Sequence, residues 1–105
     1  MKYDKAMEAI RSCLDDHTPK ELKLDGFIPA AVTIPLFEKN GEAYMLLTLR
    51  ADTVEHHKGQ VSFPGGAWEP QDASMEETAL RETDEEVGIP SAMTQVLGQL
   101  DDFPT

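Results

Sequence analysis

Three carboxylates, Glu82, Glu85 and Glu86, stand at i, i+3 and i+4 near the end of one acidic stretch. On a helix that spacing sets them on one side within mutual reach, where like charges repel. They would also fall in the helix's last turns, where the macrodipole disfavours each anion by about 0.3 to 1 kcal/mol. Stability alone does not put them there. Something positive should face them, and oxygen-only ligands on a rigid helix suit a hard divalent cation such as Mg²⁺, completed by water and a substrate phosphate. A solvated acidic face is the competing reading of such a charge run. Pro64-Gly65-Gly66, just upstream, favours the metal, because two glycines let backbone groups approach an ion or a phosphate closely.

Rival patterns for the same chemistry do not compete. The chain has a single cysteine, no Gly-Lys-Ser/Thr string, and acids at helical rather than calcium-loop spacing. His56 and His57 are adjacent and would point to opposite faces of an extended segment, which argues against joint chelation. Arg81 has Glu77 one turn before it and Glu85 one turn after it. At ion-pair spacing it reads as an orienting residue rather than a reacting one. Trp68, one aromatic beside a turn, is left outside the site.

The elements that must position these groups can be read from periodicity and punctuation. A helix is predicted over roughly 74–87: Ser74 with Glu77 fits a capping box, Asp72 is an alternative cap, and Gly88 followed by Pro90 ends it. Met75, Ala79, Leu80, Thr83 and Val87 form its core-facing stripe. Residues 3–17 carry Ala6, Met7, Ile10, Cys13 and Leu14 at helical steps, so an amphipathic helix is expected with Cys13 in the core. Asn40-Gly41 between apolar runs predicts a β-hairpin with a type I′ turn. Pro35 marks an edge or bulge in its first strand. The second strand, from Ala43 to Leu49, reads as buried on both faces. Gln60 to Phe63 reads as a short strand closed by a Pro64-Gly65-Gly66 turn, and residues 94–100 as a further strand.

Composition limits the partners. Among 105 residues, 20 Asp plus Glu oppose 9 Lys plus Arg, a formal net charge of -11, with a pI of about 4.5. No nucleic-acid partner is expected, since counterion release needs clustered Lys and Arg, and no membrane surface, since a basic amphipathic helix needs the same charges. Eight acids and one arginine between Glu69 and Glu86 account for -7 of that charge, so the excess is local. Hydrophobic residues at 40% and the chain length suit one compact domain. The apolar run Phe27 to Phe37 includes Thr33 and two prolines and falls short of the ~20 residues that span a bilayer. Met1-Lys2-Tyr3-Asp4 reaches charges at once, unlike a secretory signal. A cytoplasmic protein is the expectation.

Gly65-Gly66 followed by Arg81-Glu82-Thr83-Asp84-Glu85-Glu86-Val87-Gly88-Ile89 closely resembles the Nudix box, the signature of hydrolases of nucleoside diphosphates linked to another moiety. Thr83 stands where that box usually has a larger aliphatic residue. The loop from Gly66 to Arg81 is one residue longer than the common form, and Asp72 stands near the box's first glutamate. Those departures look like the coenzyme A pyrophosphatase branch. Leu46-Leu47-Thr48-Leu49-Arg50-Ala51 and Gly59-Gln60-Val61-Ser62-Phe63-Pro64-Gly65-Gly66 resemble that branch's additional upstream motif. The branch usually has an arginine where this chain has Glu55; Arg50 and His57 keep its pattern.

The resemblance implies an α/β fold, a Nudix-type mixed β-sheet sandwiched between helices, with residues 1–24 a helix and connection, 28–105 the Nudix core and 65–89 the box. It implies Mg²⁺ or Mn²⁺ held by Glu82 and Glu86, with Glu85 a second-metal ligand or base. It also implies Gly65 and Gly66 lending backbone to the metal shell and Arg50 touching substrate phosphate. The expected substrate is a small nucleotide: coenzyme A or an acyl derivative, cleaved to adenosine 3′,5′-bisphosphate and a 4′-phosphopantetheine. The alternatives are another nucleoside diphosphate derivative, or a truncated module that binds metal or nucleotide without turnover. The later strands and last helix of the fold have no counterpart up to Thr105, so a partial domain is expected, with dimerisation as a way to cover open edges.

Overall fold

Asn40 and Gly41 take φ of 52° and 80°, the pair of positive values that a type I′ turn requires. They join β2 (Leu36–Lys39) to β3 (Glu42–Met45) in the expected hairpin, in a register that pairs Lys39 with Glu42 and Leu36 with Met45. Phe37 and Tyr44 face each other across it, stacked at 5.7 Å between ring centroids. The computed structural model describes residues 1–49 and 60–104. The Glu55, His56, His57 and Arg50 readings lie outside the described residues.

The architecture is α/β. Before the hairpin come α1 (Tyr3–Asp15) and β1 (Ala30–Val32); after it come β4 (Thr48–Leu49), β5 (Val61–Ser62), β6 (Gly65–Ala67) and α2 (Met75–Val87), then a short 3₁₀ turn at Ser91–Met93. Among the described residues the strands form three antiparallel pairs, β1 with β6, β2 with β3 and β4 with β5. Helix α2 packs on β1 and β6. The chain start is tied to β3: the Tyr3 N–H donates to the Gly41 carbonyl at 2.8 Å and Ala43 donates to Met1 at 3.0 Å. The Met1 ammonium and Lys2 both reach Glu42, at 3.1 and 3.2 Å, and hold its carboxyl below the usual range.

Several expectations are corrected. The run Ala43–Leu49 is not a strand buried on both faces: it breaks after Met45, and Leu49 is 71% exposed. Tyr44 at 47% and Met45 at 52% are exposed as well, so among the described residues no layer covers the hairpin fully. Residues 94–100 form no strand; they run past α1, with Gln95 at Arg11 (3.4 Å) and Gly98 close against Leu14. Cys13 is exposed, because that segment covers the Leu14 side of α1 and the buried part of the stripe ends at Ala6 and Met7. Gly65 and Gly66 are not a turn but part of β6, opposite Val32 and Ala31.

Among the described residues Ala6, Met7 and Ala79 are buried apolar side chains, and Asp72, Thr78 and Thr83 are buried polar ones. Among the described residues no buried side-chain polar atom lacks a hydrogen-bond partner, so the polar burial is compensated.

Candidate active site

Helix α2 begins where its sequence says. Ser74 is the N-cap, its hydroxyl accepting from the Glu77 N–H at 3.1 Å. The Glu77 carboxylate turns back to the N–H of Ala73, one residue before the expected capping-box partner. At the other end Gly88 adopts φ 72° and donates to the Asp84 carbonyl at 2.8 Å, a left-handed cap that glycine enters without a Cβ penalty. These two ends fix which residues face β1 and β6.

Arg81 is the charge centre of the site. Its Nε and Nη2 both donate to Asp72, each at 2.9 Å, in a two-pronged grip. Nη1 reaches Glu82 at 2.8 Å and Glu85 at 3.4 Å, and Nη2 also donates to the Ala67 carbonyl at 3.1 Å. Glu85 is thus the partner its spacing predicts, while Glu77 is not, being held at the N-terminal cap. Asp72, nine residues earlier and ahead of the Ser74 cap, takes the place expected of Glu77.

Asp72 is an acceptor for four donors. Besides Arg81 it receives the Glu69 N–H at 3.0 Å and the Thr78 hydroxyl at 2.8 Å. Chiefly the Arg81 guanidinium, helped by those two donors and opposed by burial, holds its carboxyl far below the ordinary value. The indole N–H of Trp68 donates to the Asp72 carbonyl at 3.2 Å, which makes the ring a brace for the loop. Neither Thr78, wholly buried, nor the Asp72–Arg81 pair follows from helical spacing, because Asp72 precedes the Ser74 cap and lies outside the periodic helix.

The predicted ligands divide. Glu86 and Glu82 both meet the glycine strand: Glu86 Oε2 accepts from the Gly65 N–H at 2.9 Å, and a Cβ on Gly66 would lie 2.5 Å from the Glu82 carboxylate carbon. Glu85, its side chain 60% exposed, reaches Arg81 alone among the described residues. No three carboxylate, imidazole or thiol groups among the described residues form a ready-made metal cage. The donor set nonetheless fits a hard cation. Two carboxylates one turn apart flank the paired glycines of β6, and each keeps an oxygen beyond the hydrogen bond it makes.

A model of the NUDIX domain family matches residues 27–105. The chain belongs to the Nudix family. Among its relatives, a protein named "uncharacterized Nudix hydrolase NudL" from Yersinia enterocolitica is 55% identical over 71 residues, which cover 68% of this chain and 36% of that protein. Proteins of the same name from Yersinia pestis and Yersinia pseudotuberculosis are 52% identical over 71 residues, 68% of this chain and 35% of theirs. The Nudix chain described here therefore matches about a third of the length of these curated relatives. Among the described residues no helix is long and apolar enough to cross a membrane.

Proposed function

We propose that the chain carries the metal-binding part of a Nudix hydrolase site that cleaves the pyrophosphate bond of coenzyme A or an acyl-coenzyme A. The products are adenosine 3′,5′-bisphosphate and a 4′-phosphopantetheine. One observation carries the metal-site reading: Glu82 and Glu86 are seated against the two glycines of β6, with the Gly65 N–H on Glu86 and a Cβ at Gly66 falling 2.5 Å from the Glu82 carboxylate carbon. The coenzyme A substrate is supported by the upstream strings Leu46–Ala51 and Gly59–Gly66. Glu55, where that branch usually has an arginine, favours the second reading, another nucleoside diphosphate derivative.

In this reading Glu82 and Glu86 hold Mg²⁺ or Mn²⁺, which when bound neutralises phosphate oxygens and makes a water nucleophilic at neutral pH. Arg81 keeps Glu82 and Glu85 pointed along α2, and Asp72 fixes Arg81 in turn. Glu85, with a side chain 60% exposed, would accept a proton as general base or join a second metal. Gly65 and Gly66 let the substrate's phosphates approach backbone without a steric barrier, and Arg50 offers them a cation. The acidic chain and its substrate pool suit the cytoplasm, and self-association belongs to the same proposal.

The test is incubation of the full-length protein with coenzyme A and Mg²⁺, with phosphopantetheine followed by mass spectrometry. Release of phosphopantetheine supports the coenzyme A reading. Hydrolysis of a dinucleotide such as ADP-ribose instead, with coenzyme A intact, moves the assignment to the second reading.

A further inference from the structure

We propose that Thr83 and Thr33 form a hydroxyl pin that sets how the glycine strand sits against Glu82 and Glu86, which makes Thr83 a positioning residue of the site. This rests on the metal-site reading above. Thr83, 2% exposed, lies between the two carboxylates in sequence. Its Oγ1 is 2.8 Å from Thr33 Oγ1 and 2.7 Å from the Ala79 carbonyl, and Thr33 Oγ1 is 3.2 Å from that same carbonyl. Two hydroxyl protons serve three contacts. If both went to Ala79, two hydroxyl oxygens would face each other with no proton between them; donation from Thr83 to Thr33 and from Thr33 to Ala79 avoids that.

Thr33 works in two directions. Its side chain holds α2, and its backbone N–H donates to the Pro64 carbonyl at 2.8 Å. Pro64 is buried and immediately precedes Gly65. The pin therefore links the helix that carries the carboxylates to Pro64, the residue just ahead of the glycine strand. Clearance there is small, since a Cβ at Gly66 would lie 2.5 Å from the Glu82 carboxylate carbon as that side chain stands. A slide of the strand along the helix changes the room left at Glu82 and the reach of the Gly65 N–H to Glu86. An aliphatic residue at 83 would supply contact area, which is non-directional; a hydroxyl bond fixes a register.

The experiment measures Mn²⁺ binding to the full-length protein by the paramagnetic resonance of free ion, beside thermal melts without metal. The variants are Thr83→Val, Thr83→Ser, Thr33→Val, the Thr33→Val/Thr83→Val double and Glu86→Gln. Thr83→Val is expected to raise the half-saturating Mn²⁺ roughly 3- to 10-fold, the span of one neutral hydrogen bond. Thr83→Ser, which keeps the hydroxyl, should stay within about 2-fold. The double variant should be no worse than either single one, because both remove the same bond. A Thr83→Val protein with a lowered metal-free melt and parental Mn²⁺ affinity would make Thr83 merely structural and overturn the proposal. Should Thr83→Val fail to fold, Thr33→Val decides by the same criterion. Parental Mn²⁺ affinity in Glu86→Gln would overturn the metal-site reading itself, and the pin with it.

Discussion

The acidic stretch from Glu69 to Glu86 and the apolar stretch from Phe27 to Leu49 exchange the roles their compositions suggest. Within the first, Thr78 is wholly buried and Asp72 is 5% exposed; within the second, Val32 is 58% exposed and Leu47 51%. The difference lies in direction. Around Arg81 each buried polar atom has a partner with defined geometry, so the helix, the loop and β6 close on one another. The hairpin has regular pairing within its own plane, but its apolar faces do not make a core of that plane. Side-chain area counts as burial only when a second layer lies over it.

The contrast is broken most severely where backbone meets backbone. In Gly65→Ala the new Cβ would lie 2.3 Å from the Ala31 carbonyl oxygen and 2.6 Å from Val32 Cα. Neither can swing away, so β6 must leave β1, at a cost of about 3 kcal/mol or more. Gly66→Ala instead meets the far end of Glu82, at 2.5 Å from its carboxylate carbon, and that side chain can rotate. The first variant should unfold at clearly lower denaturant; the second should keep most of its stability and lose metal affinity. Equal denaturation midpoints for the two would erase the distinction between a structural and a site glycine.

Next in size is the loss of charge at Asp72. Arg81 holds its folded-state pKa below the unfolded value of about 3.9. The sign follows: the stabilisation is complete above pH ~4 and is lost as pH falls toward the folded value. Asp72→Asn should lower stability near neutrality and flatten the acid-side decline in denaturation midpoints measured from pH 6 to pH 2. Part of the slope should survive, since Asp101 is also held low, first by the Lys20 N–H and then by His17, and Glu42 by the chain terminus. An unchanged slope in the variant would remove Asp72 from the centre of this region.

What could be read from sequence was what is local. The Asn40-Gly41 turn, the Ser74 cap and the Gly88 stop depend on residues within four positions of one another, and their chemistry permits few alternatives. The Asp72–Arg81 grip, the Gly65–Glu86 hydrogen bond and the Thr33–Thr83 pair each join a residue of α2 to one outside it, where no period carries the information. Glu77 shows the limit well. Its spacing from Arg81 is right for an ion pair, yet the open N–H of Ala73 is nearer and takes it. Strand burial escapes the sequence for the same reason, because an apolar run states what a strand can bury and not what covers it.

A smaller effect on the fold is expected at Glu86. Gln keeps an oxygen to accept the Gly65 N–H, and it removes one charge from a repelling cluster near a helix C-terminus. Metal-free stability should stay level or rise by about 0.3 kcal/mol. The shift in melting temperature produced by sub-saturating Mg²⁺ should shrink, since a ligand of the native state stabilises by mass action. Equal Mg²⁺ shifts in parent and Glu86→Gln would return the cluster to a solvated face.

The smallest effect tests the other side of the contrast. By helical period Cys13 shares a face with Ala6, yet Ala6 is 6% exposed and Cys13 is open to solvent. The segment that passes this end of α1 touches Arg11 and Leu14, and Asp101 reaches His17 at 2.8 Å. None of these contacts covers the thiol. Cys13→Ser should therefore change stability by no more than about 0.5 kcal/mol, the usual range for an exposed site. If Cys13 were core, placing a hydroxyl there without a partner would cost about 1 to 3 kcal/mol. Labelling of the native protein by a disulfide reagent reads the same question without a mutation, since an uncovered thiol reacts with no prior unfolding. Protection of Cys13 in native buffer, together with a loss above 1 kcal/mol in Cys13→Ser, would restore the apolar stripe along the whole of α1 and narrow the contrast between the two regions.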